Sequence, residues 1–350
     1  MDASVRALAL VAVSALAAAC AKAPAAPLPA ADASLVQAAR VPDAAAPGPF
    51  LVRGASASYH VTSSLTVKND AAALVRLAVQ LPAPQSNVYQ DVSNLVATPA
   101  VLKPIPHSDD VYALFVQEAD LPGVQQSVTF ELTYDVTLYD LRADLAQVGA
   151  LQPYDKSSDL WRWHTGPSGD LVVPDHPTIL VTSLNLWAAH PDVLGYARAA
   201  YEHVASSFKY LNPNTGMHPL SEVLAAGGAN CGNLASVYIS LLRARGIPAR
   251  HLVAIRPDGS RHVWADFYLQ GYGWVPVDVT YKQANPAGDY FGRVALKDNG
   301  IIMDKKVDLT VDNALGTRQL PLLQDSAWWY WSETTEAVLT PIYTLVATPR

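Results

Sequence analysis

Charge and cysteine are both scarce in this sequence. Charged residues make up 16% of its 350 residues, against about 25% in an average soluble protein. The 24 Lys and Arg residues are outnumbered by 31 Asp and Glu residues, and no basic run is longer than the pair Lys305-Lys306. Because nucleic-acid binding needs a dense cationic face, no nucleic-acid partner is expected. Half of the residues are hydrophobic, which is enough for a folded core.

Long hydrophobic runs are missing after the N-terminus. The run from Ala7 to Ala19 contains only Ala, Leu, Val and one Ser. A membrane-spanning helix needs about 20 such residues, whereas the apolar part of a signal peptide needs roughly 7–15. The sequence therefore predicts a signal peptide over residues 1–19.

The residues that end this run, Leu16-Ala17-Ala18-Ala19-Cys20, resemble the lipobox of bacterial lipoproteins. The resemblance implies cleavage before Cys20 and a diacylglyceryl group on its thiol. Such an anchor would hold the exported protein on a bacterial membrane, at the periplasmic face of the cell envelope. Residues 20–50 are rich in Ala and Pro, which is typical of an extended tether.

Between residues 51 and 150 the apolar side chains recur at every second position. Examples are Val75, Leu77 and Val79, and the run from Val128 to Leu138. This period is that of antiparallel strands with one buried face. We therefore expect an all-β, Ig-like sandwich domain, and it contains no cluster of catalytic residue types.

Residues 231–245 have the clearest helical period in the chain. Its apolar positions are Leu234, Val237, Tyr238, Leu241 and Leu242. Asn230 is a candidate N-cap, which places Cys231 at the helix N-terminus. The helix dipole and the unpaired N–H groups there lower a thiol pKa and can hold an oxyanion. This is the position that a nucleophilic thiol needs.

Cysteine pairing supports the same interpretation. The chain has two cysteines, and lipidation of Cys20 would leave Cys231 without a partner. An unpaired cysteine in an exported protein is unusual and indicates a reactive or intermolecular thiol. A small buried side chain is the alternative.

Two strands with a short loop between them follow the helix. A three-residue loop, Gln270–Tyr272, sets Phe267 opposite Val275 and Ala265 opposite Val277. This register brings the aliphatic side chains of both strands onto one face, as a shared core requires.

The other face of this hairpin carries a candidate base. The register sets His262 opposite Thr280, with Asp278 as its diagonal neighbour at about 7–8 Å. A carboxylate beside an imidazole fixes its tautomer and stabilises the imidazolium. The residues alone thus predict Cys231, His262 and Asp278 in triad order. His251 is a weaker candidate base because no carboxylate strand lies in phase with it.

These segments resemble the transglutaminase-like core of bacterial proteins. The resemblance is carried by Cys231 at the helix start, Arg243-Ala-Arg-Gly-Ile-Pro-Ala-Arg, His262-Val-Trp-Ala-Asp-Phe-Tyr and Gly273-Trp-Val-Pro-Val-Asp-Val-Thr. It implies an α+β, papain-like core in which the Cys helix packs on an antiparallel sheet. It also implies Cys231 as the nucleophile, His262 as general base and acid, and Asp278 as the residue that orients His262.

Three aromatic residues complete the candidate site. Tyr210 is a candidate oxyanion donor, with packing as the alternative. Trp264 and Trp274 match family positions at the walls of the cleft. Cys231 is followed by Gly-Asn-Leu-Ala, without the Trp found there in animal transglutaminases and without the acidic residue of many members. These departures argue against transferring protein cross-linking to this chain.

Five segments are predicted. They are the signal peptide (1–19), the lipid-anchor Cys with its tether (20–50), the β-sandwich (51–150), the transglutaminase-like core (151–316) and a C-terminal aromatic and strand segment (317–350). The last contains the run Trp328-Trp329-Tyr330-Trp331. Large aromatic side chains mostly bury area, so core packing is expected, with cleft lining and membrane contact left open.

The function expected from these features is acyl transfer by an envelope cysteine enzyme, with amide or peptide hydrolysis of a peptide or protein substrate. No metal and no cofactor are expected, because HExxH, CxxC and clustered His motifs are missing. The alternative is a catalytically silent transglutaminase-like module that acts as a binding or structural lipoprotein. A lipoprotein that assists export or assembly through its β-domain also stays open.

Overall fold

The computed structural model describes residues 50–70, 74–98, 103–104, 113–121, 126–211, 216–313, 315–332 and 338–350. The predicted signal peptide, the lipidation site Cys20 and the tether up to residue 49 lie outside the described residues. Within the described ranges, no helix combines the length and the apolar character that a membrane crossing requires.

The described chain contains seventeen strands and six α-helices. The strands are β1 (Leu51–Asn69), β2 (Val75–Ala83), β3 (Gln90–Thr98), β4 (Lys103–Pro104), β5 (Ala113–Leu121), β6 (Gln126–Ala143), β7 (Lys209–Tyr210), β8 (Gly228–Ala229), β9 (Ala249–Ile255), β10 (Arg261–Leu269), β11 (Gly273–Val277), β12 (Arg293–Val294), β13 (Ile301–Asp304), β14 (Leu309–Asn313), β15 (Gly316–Leu320), β16 (Ala327–Ser332) and β17 (Leu339–Pro349). The helices are α1 (Asp159–Thr165), α2 (Pro177–Ala189), α3 (Val193–Ser207), α4 (Leu220–Ala226), α5 (Cys231–Arg243) and α6 (Val279–Ala284).

The N-terminal domain consists of two antiparallel sheets. One has the order β12-β6-β1-β17, with β3 also paired to β6, and the other has the order β16-β2-β5-β4. Alternate side chains of β1 and β6, such as Val61, Leu65 and Leu132, are buried between the sheets with Leu77 of β2. This burial follows the period of two that the sequence shows.

Strand β2 departs from the expected one-sided burial. Ala78 and Gln80, on its second face, are also buried. They pair with Trp329 and Ala327 of β16, and those two residues pack with the β14–β15 hairpin. The second face is therefore covered by residues from the end of the chain.

The C-terminal strands belong to the sandwich. β17 pairs with β1 from Tyr59 opposite Pro349 to Asn69 opposite Leu339, and β16 pairs with β2. The segment predicted over residues 317–350 thus contributes β16 and β17 to the two sheets of the domain predicted over residues 51–150. The aromatic run lies in β16, where Trp329 is buried.

The second domain has a four-stranded antiparallel sheet of order β11-β10-β9-β13. Helix α5 packs on β9 and β10, and α2, α3 and α6 pack around α5. Nearly all of α5 is buried. A sheet that is backed by a central helix confirms the predicted α+β class.

Helix α2 (Pro177–Ala189) is not indicated by the sequence pattern. Pro177 stands at its first turn, a position that suits proline. Its own apolar residues lie on all sides of the helix, so the sequence has no amphipathic period there. Leu180, Val181 and Leu184 are exposed. The missing period explains why the sequence pattern did not predict it.

The two domains share their buried cores. Tyr89, from the connection between β2 and β3, is fully buried in the core of the second domain. In the opposite direction, Ile255, Ile301 and Met303 of the second sheet pack into the sandwich core. The sandwich therefore supports the sheet that carries the candidate site.

Candidate active site

Cys231 lies at the first position of α5. The Asn230 side chain accepts a hydrogen bond from the Asn233 N–H at 3.1 Å and donates one to the Gly216 carbonyl at 2.6 Å. The predicted N-cap is thus present. Cys231 is partly buried, and the helix that it begins is almost entirely buried, which restricts the position of its sulfur.

His262 and Asp278 form a buried pair. His262 Nε2 lies 2.5 Å from Asp278 Oδ2, and both residues are 5% exposed. The other carboxylate oxygen accepts a hydrogen bond from the Tyr281 N–H at 2.9 Å. Asp278 is therefore both the partner of His262 and the N-cap of α6.

The route by which Asp278 reaches His262 differs from the sequence prediction. The predicted pairs Ala265–Val277 and Phe267–Val275 are confirmed. However, β11 ends at Val277 and α6 begins at Val279. Thr280 therefore does not pair with His262 across the hairpin. The helix turn, rather than a diagonal strand contact, directs the carboxylate to the imidazole.

Two aromatic rings hold the imidazole of His262. The Trp264 ring stacks on it at 5.6 Å between centroids and 24° between planes, and the Tyr281 ring lies at 4.8 Å. Because Nε2 faces Asp278, Nδ1 is the ring nitrogen left for Cys231.

The charges of these three residues favour a thiolate–imidazolium pair. Burial would raise the pKa of Cys231, but the hydrogen bond and the charge of His262, with a backbone hydrogen bond from Val263, bring that pKa below its ordinary value. Burial would likewise lower the pKa of His262, but the charge of Asp278 and its hydrogen bond raise it to about 9. At pH values between the pKa of Cys231 and that of His262, the thiolate–imidazolium pair is therefore the favoured form.

Cys231 and His262 line a cavity of about 880 Å³. Tyr210 and Tyr281 are part of the same wall, and Tyr210 is 44% exposed. The cavity is large enough for several residues of an extended peptide, and the candidate nucleophile and base lie on its surface.

Trp264 and Trp274 do not line this cavity, which corrects their predicted place in the cleft wall. Trp264 is 2% exposed and makes an edge contact with Tyr89 of the sandwich at 6.0 Å. Trp274 is buried beneath the Arg250 guanidinium, 3.8 Å from its ring centroid. The Trp264 indole thus packs against the sandwich, whereas the Trp274 indole packs against His164 of α1 and Tyr268 of β10.

The short strands β7 and β8 position Tyr210 near Cys231, because β8 ends two residues before Cys231. These strands pair in parallel, with Tyr210 opposite Ala229, and the Tyr210 N–H donates to Gln283 Oε1 at 2.9 Å. Burial and the charge of Cys231 raise the pKa of Tyr210, so its hydroxyl stays protonated near neutral pH. Its role as an oxyanion donor stays a prediction.

The pairing of β7 with β8 depends on Gly228. A Cβ atom at this position would lie 2.1 Å from the backbone oxygen of Lys209. We expect Gly228→Ala to separate the strands, to lower the free energy of unfolding by about 1–3 kcal/mol and to slow alkylation of Cys231.

The control for this prediction is Gly166→Ala, whose added Cβ would come no closer than 3.8 Å to its neighbours. Denaturant unfolding and the alkylation rate measure both variants. Equal behaviour of the two variants would show that β7 and β8 do not need this close approach.

His251 does not belong to the cavity. It is 1% exposed and lies 3.0 Å from the Ser236 hydroxyl on α5. Burial, with the charge of Arg243, lowers its pKa to about 3. A permanently neutral imidazole inside the core cannot serve as the base of this site.

Tyr281 and Arg256 were not recognised from the sequence, although both line the cavity. Tyr281 stands three residues after Asp278, in the first turn of a helix that the pattern did not predict. Among the described residues, no group of three or more His, Cys, Asp or Glu side chains is arranged as metal ligands would be.

A transglutaminase-like superfamily model matches residues 183–279, the segment that contains Cys231, His262 and Asp278. An uncharacterized protein of Haemophilus influenzae is 36% identical over 73 aligned residues, an alignment that covers 14% of this chain and 20% of that protein. The chain therefore matches about one fifth of the length of this relative.

A solved structure shares this fold. A candidate cysteine protease from Cytophaga hutchinsonii superposes with a TM-score of 0.54 at 13% identity, over 85% of this chain and 93% of that one. The periplasmic domain of TgpA from Pseudomonas aeruginosa gives a TM-score of 0.36 at 16% identity, over 68% and 94% of the two chains. The match of the family model to residues 183–279 identifies a transglutaminase-like domain in this chain.

Proposed function

We propose that this protein is a cysteine enzyme that transfers acyl groups through Cys231, His262 and Asp278, and that it hydrolyses amide bonds in peptides or proteins. One observation carries the proposal: the buried His262–Asp278 pair, 2.5 Å apart, adjoins a helix-terminal thiol on the wall of a large cavity. A nucleophile, a base and an orienting carboxylate in this order are what acyl transfer requires.

The reaction begins with attack of the Cys231 thiolate on the amide carbonyl carbon. The carbonyl oxygen becomes an oxyanion, which the N–H groups at the start of α5 and the hydroxyl of Tyr210 would stabilise. The imidazolium of His262 then gives its proton to the leaving amine as the C–N bond breaks, and a thioester remains on Cys231. Asp278 stabilises the charged imidazole before this proton moves.

Hydrolysis of the thioester completes the cycle. His262, now neutral, takes a proton from a water molecule, and the hydroxide attacks the thioester carbonyl. The C–S bond breaks, a carboxylic acid leaves, and the proton on His262 restores the ion pair. The proposal includes a place at the periplasmic face of the bacterial envelope, held by lipid on Cys20, and this part rests on residues 1–20 of the sequence.

Alkylation of Cys231 tests this proposal without a known substrate. The rate with iodoacetamide is measured against pH, by mass spectrometry of the peptide that contains Cys231, so that Cys20 does not contribute. We expect an inflection well below the free-thiol value of about 8.5, because His262 lowers the thiol pKa. Above about pH 9 His262 loses its proton, and the favoured ion pair is lost.

His262→Ala should move the inflection up to or above the free-thiol value, because burial is then unopposed. His190→Ala, at an exposed histidine outside the cavity, is the control and should keep the wild-type profile. An ordinary or unreactive thiol that ignores His262→Ala would leave a catalytically silent module and turn the search to binding partners.

A further inference from the structure

The cavity has a charge opposite to that of the whole chain. The chain has a formal net charge of −7. Five other ionisable side chains line the cavity besides Cys231, His262 and the two tyrosines. One is the carboxylate of Glu202, and four are cations: Lys209, Arg256, Arg261 and Lys282. A concave surface of one sign concentrates ligands of the opposite sign.

Two of the four cations already have carboxylate partners. Arg261 forms an ion pair with Asp325. Lys282 lies 4.0 Å from Glu202 and donates to the Pro286 carbonyl at 2.9 Å. These partners offset much of the charge of both residues, so the two lining cations without an ion pair among the described residues are Arg256 and Lys209.

The guanidinium of Arg256 is held by neutral oxygens. It donates to the Ser260 hydroxyl at 3.1 Å and to the hydroxyl of Tyr281, and no carboxylate of the described residues lies within 4.0 Å of it. The Asp258 carboxylate of the same turn instead accepts from Ser260 at 2.6 Å. Its Nε also donates to the Asp298 carbonyl at 3.5 Å. Arg256 is thus oriented by its neighbours without an ion pair, although its charge helps to lower the pKa of Asp258.

Arg256 is also close to the reacting groups. The Tyr281 ring that it contacts lies 4.8 Å from the His262 ring. Its charge acts on Tyr210 across the cavity, where it opposes the rise in the pKa of that phenol. One side chain therefore separates the guanidinium from the candidate base.

Lys209 is the second cation of this kind. It precedes Tyr210 in β7, is exposed, and forms no ion pair with any described residue. Its backbone oxygen packs against Gly228, two residues before the N-cap of α5. Lys209 and Arg256 thus both line the cavity that Cys231 lines.

We propose that Arg256 and Lys209 form an anion subsite that binds a carboxylate of the acyl donor close to the bond attacked by Cys231. The inference rests on the proposed function and names its substrate class, a peptide with an acidic residue next to the scissile amide. Arg256 suits this role because a guanidinium binds a carboxylate through two parallel N–H groups. Lys209 adds a mobile point charge.

Two alkylating reagents of different charge test the subsite. Iodoacetate and iodoacetamide both form a bond from the Cys231 sulfur to a methylene carbon and release iodide, but only iodoacetate brings a carboxylate. The probe is the ratio of their rates at pH 7 and low salt, relative to the same ratio for β-mercaptoethanol. The ratio divides out any change in the thiolate itself.

We expect the ratio on the full chain to exceed that of the free thiol by about fivefold, the effect of roughly 1 kcal/mol of attraction between near, partly solvated charges. The double substitution Arg256→Gln and Lys209→Gln should remove this excess, and added salt should reduce it. Arg162→Gln is the matched control, since it removes an exposed guanidinium outside the cavity and should leave both rates unchanged.

A ratio equal to that of the free thiol, or one that the double substitution leaves unchanged, would overturn the subsite while Cys231 stays reactive. Equal slowing of both reagents in the double variant would also overturn it, because the two cations would then act on the thiolate. Slow reaction with both reagents, indifferent to His262→Ala, would instead overturn the proposed function and this inference with it.

Discussion

Asp278→Asn should slow the alkylation of Cys231 at pH 7 by about tenfold or more. The charge of Asp278 is what raises the pKa of His262 to about 9 against the effect of burial. Without that charge the pKa should fall to or below the ordinary value of about 6.5. His262 is then mostly neutral at pH 7, and Cys231 loses the imidazolium that favours its thiolate.

Asparagine is the sharpest replacement because it preserves the local fold. Its side-chain oxygen can still accept the Tyr281 N–H and cap α6. The change should also remove a pH-dependent part of the stability. A histidine whose pKa is raised in the folded state contributes stability that is fully present below about pH 6.5 and lost as the pH rises through about 9.

Asp289→Asn provides the control for this prediction. Asp289 is an exposed carboxylate that forms an ion pair with Arg198, so its replacement should leave the alkylation profile unchanged. Measurements of alkylation against pH and of unfolding against pH distinguish the two variants. An unchanged profile in Asp278→Asn would show that His262 holds its proton without the carboxylate.

Local sequence patterns were sufficient to predict the elements that are set by residues close in sequence. The start of α5 follows from an Asn cap and an apolar period, and the structure has the cap hydrogen bond from Asn233 to Asn230. The hairpin register follows from parity, because both strands must bury the same face. These features needed no information from distant parts of the chain.

The approach of Asp278 could not be predicted by the same argument. Val275, Val277 and Val279 keep the alternation of a strand, and all three are buried. The chain nevertheless becomes helical at Val279, so parity extends the strand beyond its end at Val277 as far as Thr280. A buried valine satisfies the core in either conformation, and only the tertiary packing decides between them.

Long-range pairing is the other feature that the sequence pattern does not contain. Leu65 of β1 pairs with Tyr343 of β17, across most of the chain, and nothing local indicates this partner. The same holds for Tyr89, which comes from the sandwich and covers Trp264 behind the site. The sequence pattern predicts the face of β10 that carries His262, but it does not predict that Tyr89 packs on Trp264 of this face.

A buried ionic network next to Tyr89 links the two domains. Arg250 and Asp266 are at most 1% exposed, and their closest oxygen and nitrogen atoms lie 3.3 Å apart. The hydroxyl of Tyr89 donates to the second oxygen of the same carboxylate. Burial raises the pKa of Asp266 to about 6, opposed by the charge of Arg250. One carboxylate thus accepts hydrogen bonds from both domains.

Asp266→Ala should lower the free energy of unfolding by about 3–5 kcal/mol, because it leaves the Arg250 guanidinium buried without this carboxylate. Tyr89→Phe removes only a hydrogen bond to the charged group and should cost about 1.5–3 kcal/mol. Tyr139→Phe is the matched control, since its hydroxyl donates to Asp91 at the exposed surface and should cost under about 0.5 kcal/mol. Denaturant unfolding of the three variants measures these differences. Equal costs for the two tyrosine changes would show that the link between the domains is no stronger than a surface contact, and that the sandwich does not support the sheet of the candidate site through Asp266.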